Sequence, residues 1–191
     1  EFKNANGSKF TRKYLSSAPD QVIAAQYKAE GEDKMNLVFT LEPGDGIGAN
    51  AVTYENGMAS FTGKMTVKYA CRLHVVADDG ATVTSSAKGI TVQNATNVTF
   101  YLKGATNFNG DVNSTSYFTS DDEAAVNASV KTAIETAAGK GFEALESAHV
   151  EDFTAITKRM TLNLGLTTPT VDTKTLVDNY FVPETGIPVN I

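Results

Sequence analysis

Val67-Lys68-Tyr69-Ala70-Cys71-Arg72-Leu73-His74-Val75 repeats with a period of two: Val67, Tyr69, Cys71, Leu73 and Val75 share one face, and Lys68, Arg72 and His74 share the other. That period belongs to a β-strand with one face in a core. Downstream, Asp79-Gly80 turns the chain back into Thr82-Val83-Thr84. Upstream, Asn56-Gly57 stands between Val52-Thr53-Tyr54 and Met58-Ala59-Ser60-Phe61. Both residues of that pair tolerate positive φ, which is what a type I′ hairpin demands. Met35, Leu37, Phe39 and Leu41 alternate with Asn36, Val38, Thr40 and Glu42, and Pro19-Asp20 separates an extended run ending near Ser17 from another over Val22–Ala29. Ile90-Thr91-Val92 and Val98-Thr99-Phe100-Tyr101-Leu102 complete the series. Short strands with turns at regular intervals predict a mainly β fold, an antiparallel β-sandwich over residues 1–118.

Near residue 120 the pattern changes. Ser120-Asp121-Asp122-Glu123 supplies capping side chains and negative charge for a helix N-terminus. Val126, Val130, Ala133, Ile134 and Ala137 follow at helical spacing, and Gly139 and Gly141 are expected to end that helix. A second helix carries Phe142, Leu145, His149, Phe153, Ile156 and Met160 along one stripe. Residues 119–165 therefore read as a two-helix linker packing on the sandwich, with Thr161-Leu162-Asn163-Leu164-Gly165 as a short returning strand. The tail over 166–191, with Pro169, Pro183 and Pro188, reads as an extended connection.

Across 191 residues, 41% are hydrophobic and 20% charged, the balance of a folded globular chain. The net charge of −6 argues against a nucleic-acid partner, since a phosphate backbone must be neutralised by cations. No apolar run reaches the ~18–20 residues of a membrane helix. Cys71 is alone, which rules out an internal disulfide or a CxxC-type metal cluster. Abundant Thr, Asn and Gly accord with an extracytoplasmic protein, periplasmic or secreted. No signal peptide opens the sequence, and Glu1-Phe2-Lys3-Asn4 reads as the middle of a longer chain.

The chemistry-bearing candidates are sparse. Asp45, Asp78, Asp79, Asp111, Asp121, Asp122, Glu143, Glu146 and Asp152 are the candidates for a paired-carboxylate site, but nearly all fall in turns or at helix ends, where Asp serves local hydrogen bonding. Asn109-Gly110-Asp111-Val112-Asn113 begins like a calcium loop, yet Ser114 and Ser120 stand where Gly and Glu are required. Arg72 and His74 are expected to face solvent, and His149 to be hydrogen-bonded where helix meets sandwich. Asn107 lies in a Gly- and Asn-rich stretch over 104–113 that reads as a surface loop. With no Trp, a sugar platform falls to Tyr14, Tyr27, Tyr54, Tyr69, Tyr101 or Tyr117; Tyr101 is expected to face outward. Tyr101, Asn107, Asn109, Asp111 and His149 are thus the candidates for ligand or interdomain contact; no catalytic, metal or cofactor-binding residue is assigned.

Several stretches resemble, in order, the N-terminal domain of glycoside hydrolase family 95, the α-L-fucosidases. They are Phe10-Thr11-Arg12-Lys13-Tyr14-Leu15-Ser16-Ser17-Ala18-Pro19-Asp20-Gln21-Val22-Ile23, then Leu73–Gly80, Ile90-Thr91-Val92 and Ala105-Thr106-Asn107-Phe108. The last runs from Gly141-Phe142-Glu143-Ala144-Leu145 through His149–Phe153 to Arg159–Gly165. The resemblance covers about residues 10–166. It implies a β-supersandwich joined by linker helices to an (α/α)6 catalytic barrel that carries the acid and base residues, and it places that barrel beyond Ile191. The expected partners are that barrel and glycans; the alternative roles are a stand-alone carbohydrate-binding module or a protein-interaction or adhesion β-sandwich. No cofactor is implied. The chain alone is expected to be non-catalytic and its parent an inverting α-L-fucosidase.

Overall fold

A computed structural model describes residues 1–119, 121–163 and 172–180, excepting the side chains of residues 173, 176, 179 and 180. Contacts divide the chain into two compact units, Glu1–Phe153 and Thr154–Ile191. The first holds ten strands: β1 (Phe2–Lys3), β2 (Lys9–Ser17), β3 (Val22–Glu30), β4 (Met35–Phe39), β5 (Thr53–Glu55), β6 (Met58–Lys64), β7 (Lys68–Ala77), β8 (Thr82–Ser86), β9 (Gly89–Ala95) and β10 (Asn97–Thr106). Helix α1 (Glu123–Lys140) follows, and helix α2 (Phe142–Thr157) begins in this unit.

The strands make two antiparallel sheets, one of seven in the order β1-β2-β3-β10-β7-β6-β5 and one of three in the order β4-β9-β8. The fold is mainly β, sandwich-like, and followed by two helices, as the alternating runs require. Asn56 and Gly57 take φ of 50° and 73°, so the β5–β6 hairpin closes as its sequence dictates. Asp79-Gly80 does something other than fold β7 back on itself: β8 pairs with β9, so the turn carries the chain from the larger sheet to the smaller.

Each face of the larger sheet has its own cover. Leu73 and Val75 of β7, Ala59 of β6 and Val98 of β10 meet Met35, Ile90, Val92 and Ala95 of the smaller sheet. On the opposite face, Val126 and Val130 of α1 rest on Ala70 and Ala105, whose small side chains let the helix approach closely. Ile134 and Ala137 of α1, with Phe142 and Leu145 of α2, close over Leu15, Val22, Ala24 and Tyr101. The consecutive buried pair Ala24-Ala25 records this two-sided burial, one residue for each cover.

Helix α1 starts where Asp122 accepts a hydrogen bond from the Ala124 amide at 2.8 Å, and it stops at Gly141, whose φ of 80° an L side chain resists. Gly139 lies inside the helix and does not end it. Three pairs tie the helices down: Lys140–Asp20 at 2.6 Å, Lys13–Glu146 at 2.8 Å and Lys28–Glu143 at 3.4 Å.

In the second unit α2 ends at Thr157, and Lys158-Arg159 form a turn after it. Thr161–Asn163 are irregular and exposed where a strand was expected; Leu164 and Gly165 lie outside the described residues. Within the stretch expected to run extended, α3 (Thr173–Tyr180) is helical, and residues 166–171 and 181–191 lie outside the described residues.

Ile134 and Leu145 are fully buried between the helices and the sheet. Ile134→Ala or Leu145→Ala is expected to cost about 2–5 kcal/mol, the range for emptying a buried aliphatic site. The shift of the urea midpoint at constant m-value measures it.

Candidate functional site

The polar face of β7 does not look onto solvent. Lys68, Arg72 and His74 point to the side that α1 covers, a correction to the exposed placement of Arg72 and His74. The sequence shows an amphipathic strand; it does not show that a helix will sit on the polar side. Each group finds some accommodation there. Lys68 pairs with the carboxylate and carbonyl of Asp121 just before α1. Arg72 donates to the Asn127 side-chain oxygen at 3.2 Å. Among the described residues its Nε and the Nδ1 of His74 are buried without a hydrogen-bond partner. Burial, aided by the nearby Arg72 charge and opposed by Glu135, holds the His74 imidazole below its ordinary pKa.

The five candidate residues do not come together. Tyr101 is only 2% exposed and is sealed beneath α1 and α2, so it is no outward platform. It alternates away from the sandwich core, as read, but into a second core that the helices create. Asn107 is buried, not on a surface loop. Its side-chain oxygen accepts from the Lys68 amide at 2.8 Å, and its backbone exchanges with the Lys68 and Thr119 backbones at 2.9 Å each. It fixes the end of β10 and the return of the following loop, a task that an Asn followed by polar residues does not advertise.

Asn109 and Asp111 do lie on an exposed loop, but their side chains turn inward on it. Asn109 accepts from the Asp111 amide at 3.0 Å, and Asp111 from the Asn113 amide at 2.9 Å, the local bonding that turns favour. His149 is half-buried on α2 and stacks on Phe153, ring centroids 6.0 Å apart, in place of the expected hydrogen bond.

Six of the nine candidate carboxylates are held by hydrogen bonds or ion pairs: Asp78, Asp111, Asp121, Asp122, Glu143 and Glu146. Asp78 receives the Thr96 and Asn97 amides, each at 3.0 Å, and the Thr96 hydroxyl. Burial alone would raise its pKa; these bonds outweigh that and hold it below the ordinary range. The Lys140 ammonium holds Asp20 low despite partial burial. Every described carboxyl group that departs from its ordinary pKa is pushed down, the opposite of what a general acid needs. Among the described residues no three His, Cys, Asp or Glu gather as a metal site, and no helix is long and apolar enough to cross a membrane.

What the structure does present is an apolar helix face. Phe142 and Leu145 of α2 are buried, but Phe153 is 56% and Ile156 61% exposed on the same stripe, with Val150 exposed beside them. Met160 and Leu162, after the helix, are exposed too. The front of the stripe lies in the core, His149 is half-buried, and Phe153 and Ile156 are more than half exposed.

A family model described as Glycosyl hydrolase family 65, N-terminal domain, matches residues 1–111. The chain belongs to this family. The match takes in all ten strands of this glycosyl hydrolase N-terminal domain and leaves α1 and α2 outside it. Family 95 and a fucosidase activity are finer assignments than the match carries. No curated protein matches the chain.

Acid should weaken this glycosyl hydrolase N-terminal domain in two stages. His74 binds its proton more readily unfolded than folded, so stability falls as pH drops below about 6.5. Asp20 and Asp78 have lowered folded pKa values, so a second loss follows below about pH 4. Urea midpoints from pH 7 to pH 2 measure both stages. His74→Asn should flatten the first, and Asp78→Asn should shrink the second.

Proposed function

We propose that the chain serves as the non-catalytic N-terminal domain of a glycoside hydrolase and that the exposed face of α2 seats the catalytic domain of the same parent. The exposed Phe153 and Ile156 carry this reading. Two large apolar side chains share one helix stripe with the buried Phe142 and Leu145, and helices present such stripes to something that covers them. Family membership favours the rest of an enzyme as that cover, since a glycosyl hydrolase N-terminal domain is named for its place in one.

Asp20, Asp78, Glu143 and Glu146, each engaged by a backbone amide or a lysine, agree with a supporting role, because those contacts serve the fold rather than a leaving group. The ordered motifs from Phe10–Ile23 to Arg159–Gly165 favour a parent of the α-L-fucosidase type, inverting, with an (α/α)6 barrel. A Thr-, Asn- and Gly-rich sandwich acting with such an enzyme on external glycans fits an extracytoplasmic location.

In the parent enzyme, the double variant Phe153→Glu, Ile156→Glu should reduce activity at least tenfold and lower the melting temperature. In the 191-residue chain alone it should change stability by less than about 0.5 kcal/mol, as exposed substitutions do. Equal loss in both settings would mean that α2 serves only the sandwich. Incubated with an aryl α-L-fucoside, the chain alone should show no turnover above background.

A further inference from the structure

The larger sheet is too wide for its cover. At about 4.8 Å per strand step, seven strands span roughly 29 Å and three span roughly 10 Å. Strand β4 reaches the larger sheet where Phe39 meets Phe100 at 5.8 Å between centroids, and Phe100 in turn meets Tyr27 at 6.1 Å. The sandwich-side face of β1 and β2 continues beyond that edge, and a groove of about 540 Å³ opens there. Its volume is that of a small-molecule site, ~300–1,000 Å³.

Strand register builds the groove floor. Phe10 opposite Ala29 and Arg12 opposite Tyr27 point to this face and line it, and Phe2 joins them opposite Phe10; Tyr14, opposite Ala25, lies on the same sheet face just beyond the lining residues. The Phe2 and Phe10 rings stack at 5.1 Å, 14° from parallel. The Arg12 guanidinium lies 5.3 Å from the Phe2 ring centroid and 5.7 Å from that of Tyr27. Tyr14, 63% exposed, donates to the Tyr27 hydroxyl at 3.4 Å. Met35 and Leu37 of β4 make the facing wall.

Charge decides the occupant. The other cations of β2 and β3 have carboxylate partners: Lys9 with Glu1, Lys13 with Glu146, Lys28 with Glu143. Arg12 makes no ion pair among the described residues and is held by aromatic rings alone. A guanidinium kept in place by stacking keeps its planar donor edge for an anion, and that edge matches a carboxylate in bidentate geometry. Phe2 and Tyr14, both among the exposed large side chains, leave aromatic surface beside it that suits the C–H face of a pyranose.

We propose that this groove binds an acidic glycan, with the carboxylate of a uronic-acid residue on Arg12 and its ring against Phe2 and Tyr14. The choice of a sugar over an acidic peptide rests on the glycoside-hydrolase reading.

Calorimetric titration of the 191-residue chain tests it with three probes: a tetrasaccharide of galacturonic acid, the neutral tetrasaccharide of galactose, and tetraglutamate. The acidic sugar should bind at least tenfold more tightly than the other two. Arg12→Met keeps the aliphatic stem and should lose that preference at least tenfold, Arg12→Lys should retain part of it, and Tyr14→Ala should weaken binding several-fold, all with unchanged urea midpoints. The Phe153→Glu, Ile156→Glu variant should bind as the parent sequence does, whether or not α2 docks a catalytic domain. No binding, equal binding of acidic and neutral sugars, or full binding by Arg12→Met would overturn the proposal. Tetraglutamate binding as tightly would replace the sugar with an acidic peptide.

Discussion

Burial of both faces of the seven-stranded sheet is the constraint on which the rest of this structure depends. The central strands β3, β10 and β7 carry apolar residues on both sides, so neither the smaller sheet nor the helices alone could keep them from water. The helices are therefore part of the fold and not an appendage to it. Tyr101 and Ile134 belong to one cluster and Ala70 and Val130 to another, each joining strand to helix. Polar groups trapped by this arrangement set its remaining details. Lys68 draws in Asp121 ahead of α1, and Asn107 ties β10 to β7 and to the returning loop.

The same constraint explains which parts of the structure could be read in the sequence. Period-two runs and the Asn56-Gly57 pair identify strands because they follow from local geometry. Val126, Val130, Ile134 and Ala137 identify a helix and its buried side for the same reason. Which helix covers which sheet face is a long-range fact with no local mark. Hence Arg72 and His74 look like solvent residues, Tyr101 like a platform, and Asp79-Gly80 like a hairpin rather than a passage between sheets. Local pattern also cannot show that Phe153 and Ile156 leave the core while Phe142 and Leu145 stay in it, since all four share one stripe.

The aromatic groove shows the limit from the other side. Phe2, Arg12 and Tyr27 are scattered along 26 positions, and only Arg12 falls in a stretch that carries the family resemblance; antiparallel register is what lines them up. The mismatch in width between the two sheets then leaves them uncovered. A supporting domain can in this way hold two distinct surfaces, one along α2 and one on the open end of the sandwich. They are chemically unlike: the first is aliphatic and aromatic without a fixed charge among Val150, Phe153 and Ile156, while the second is built around a guanidinium.

On the proposed reading, the catalytic domain of the parent enzyme covers α2. Hydroxyl-radical footprinting of the parent and of the 191-residue chain reads that burial directly at Phe153, Ile156 and Met160. The account predicts that all three side chains react readily in the chain alone and are strongly protected in the parent, with Tyr14 equally reactive in both. Equal reactivity of Phe153 and Ile156 in the two proteins would contradict it.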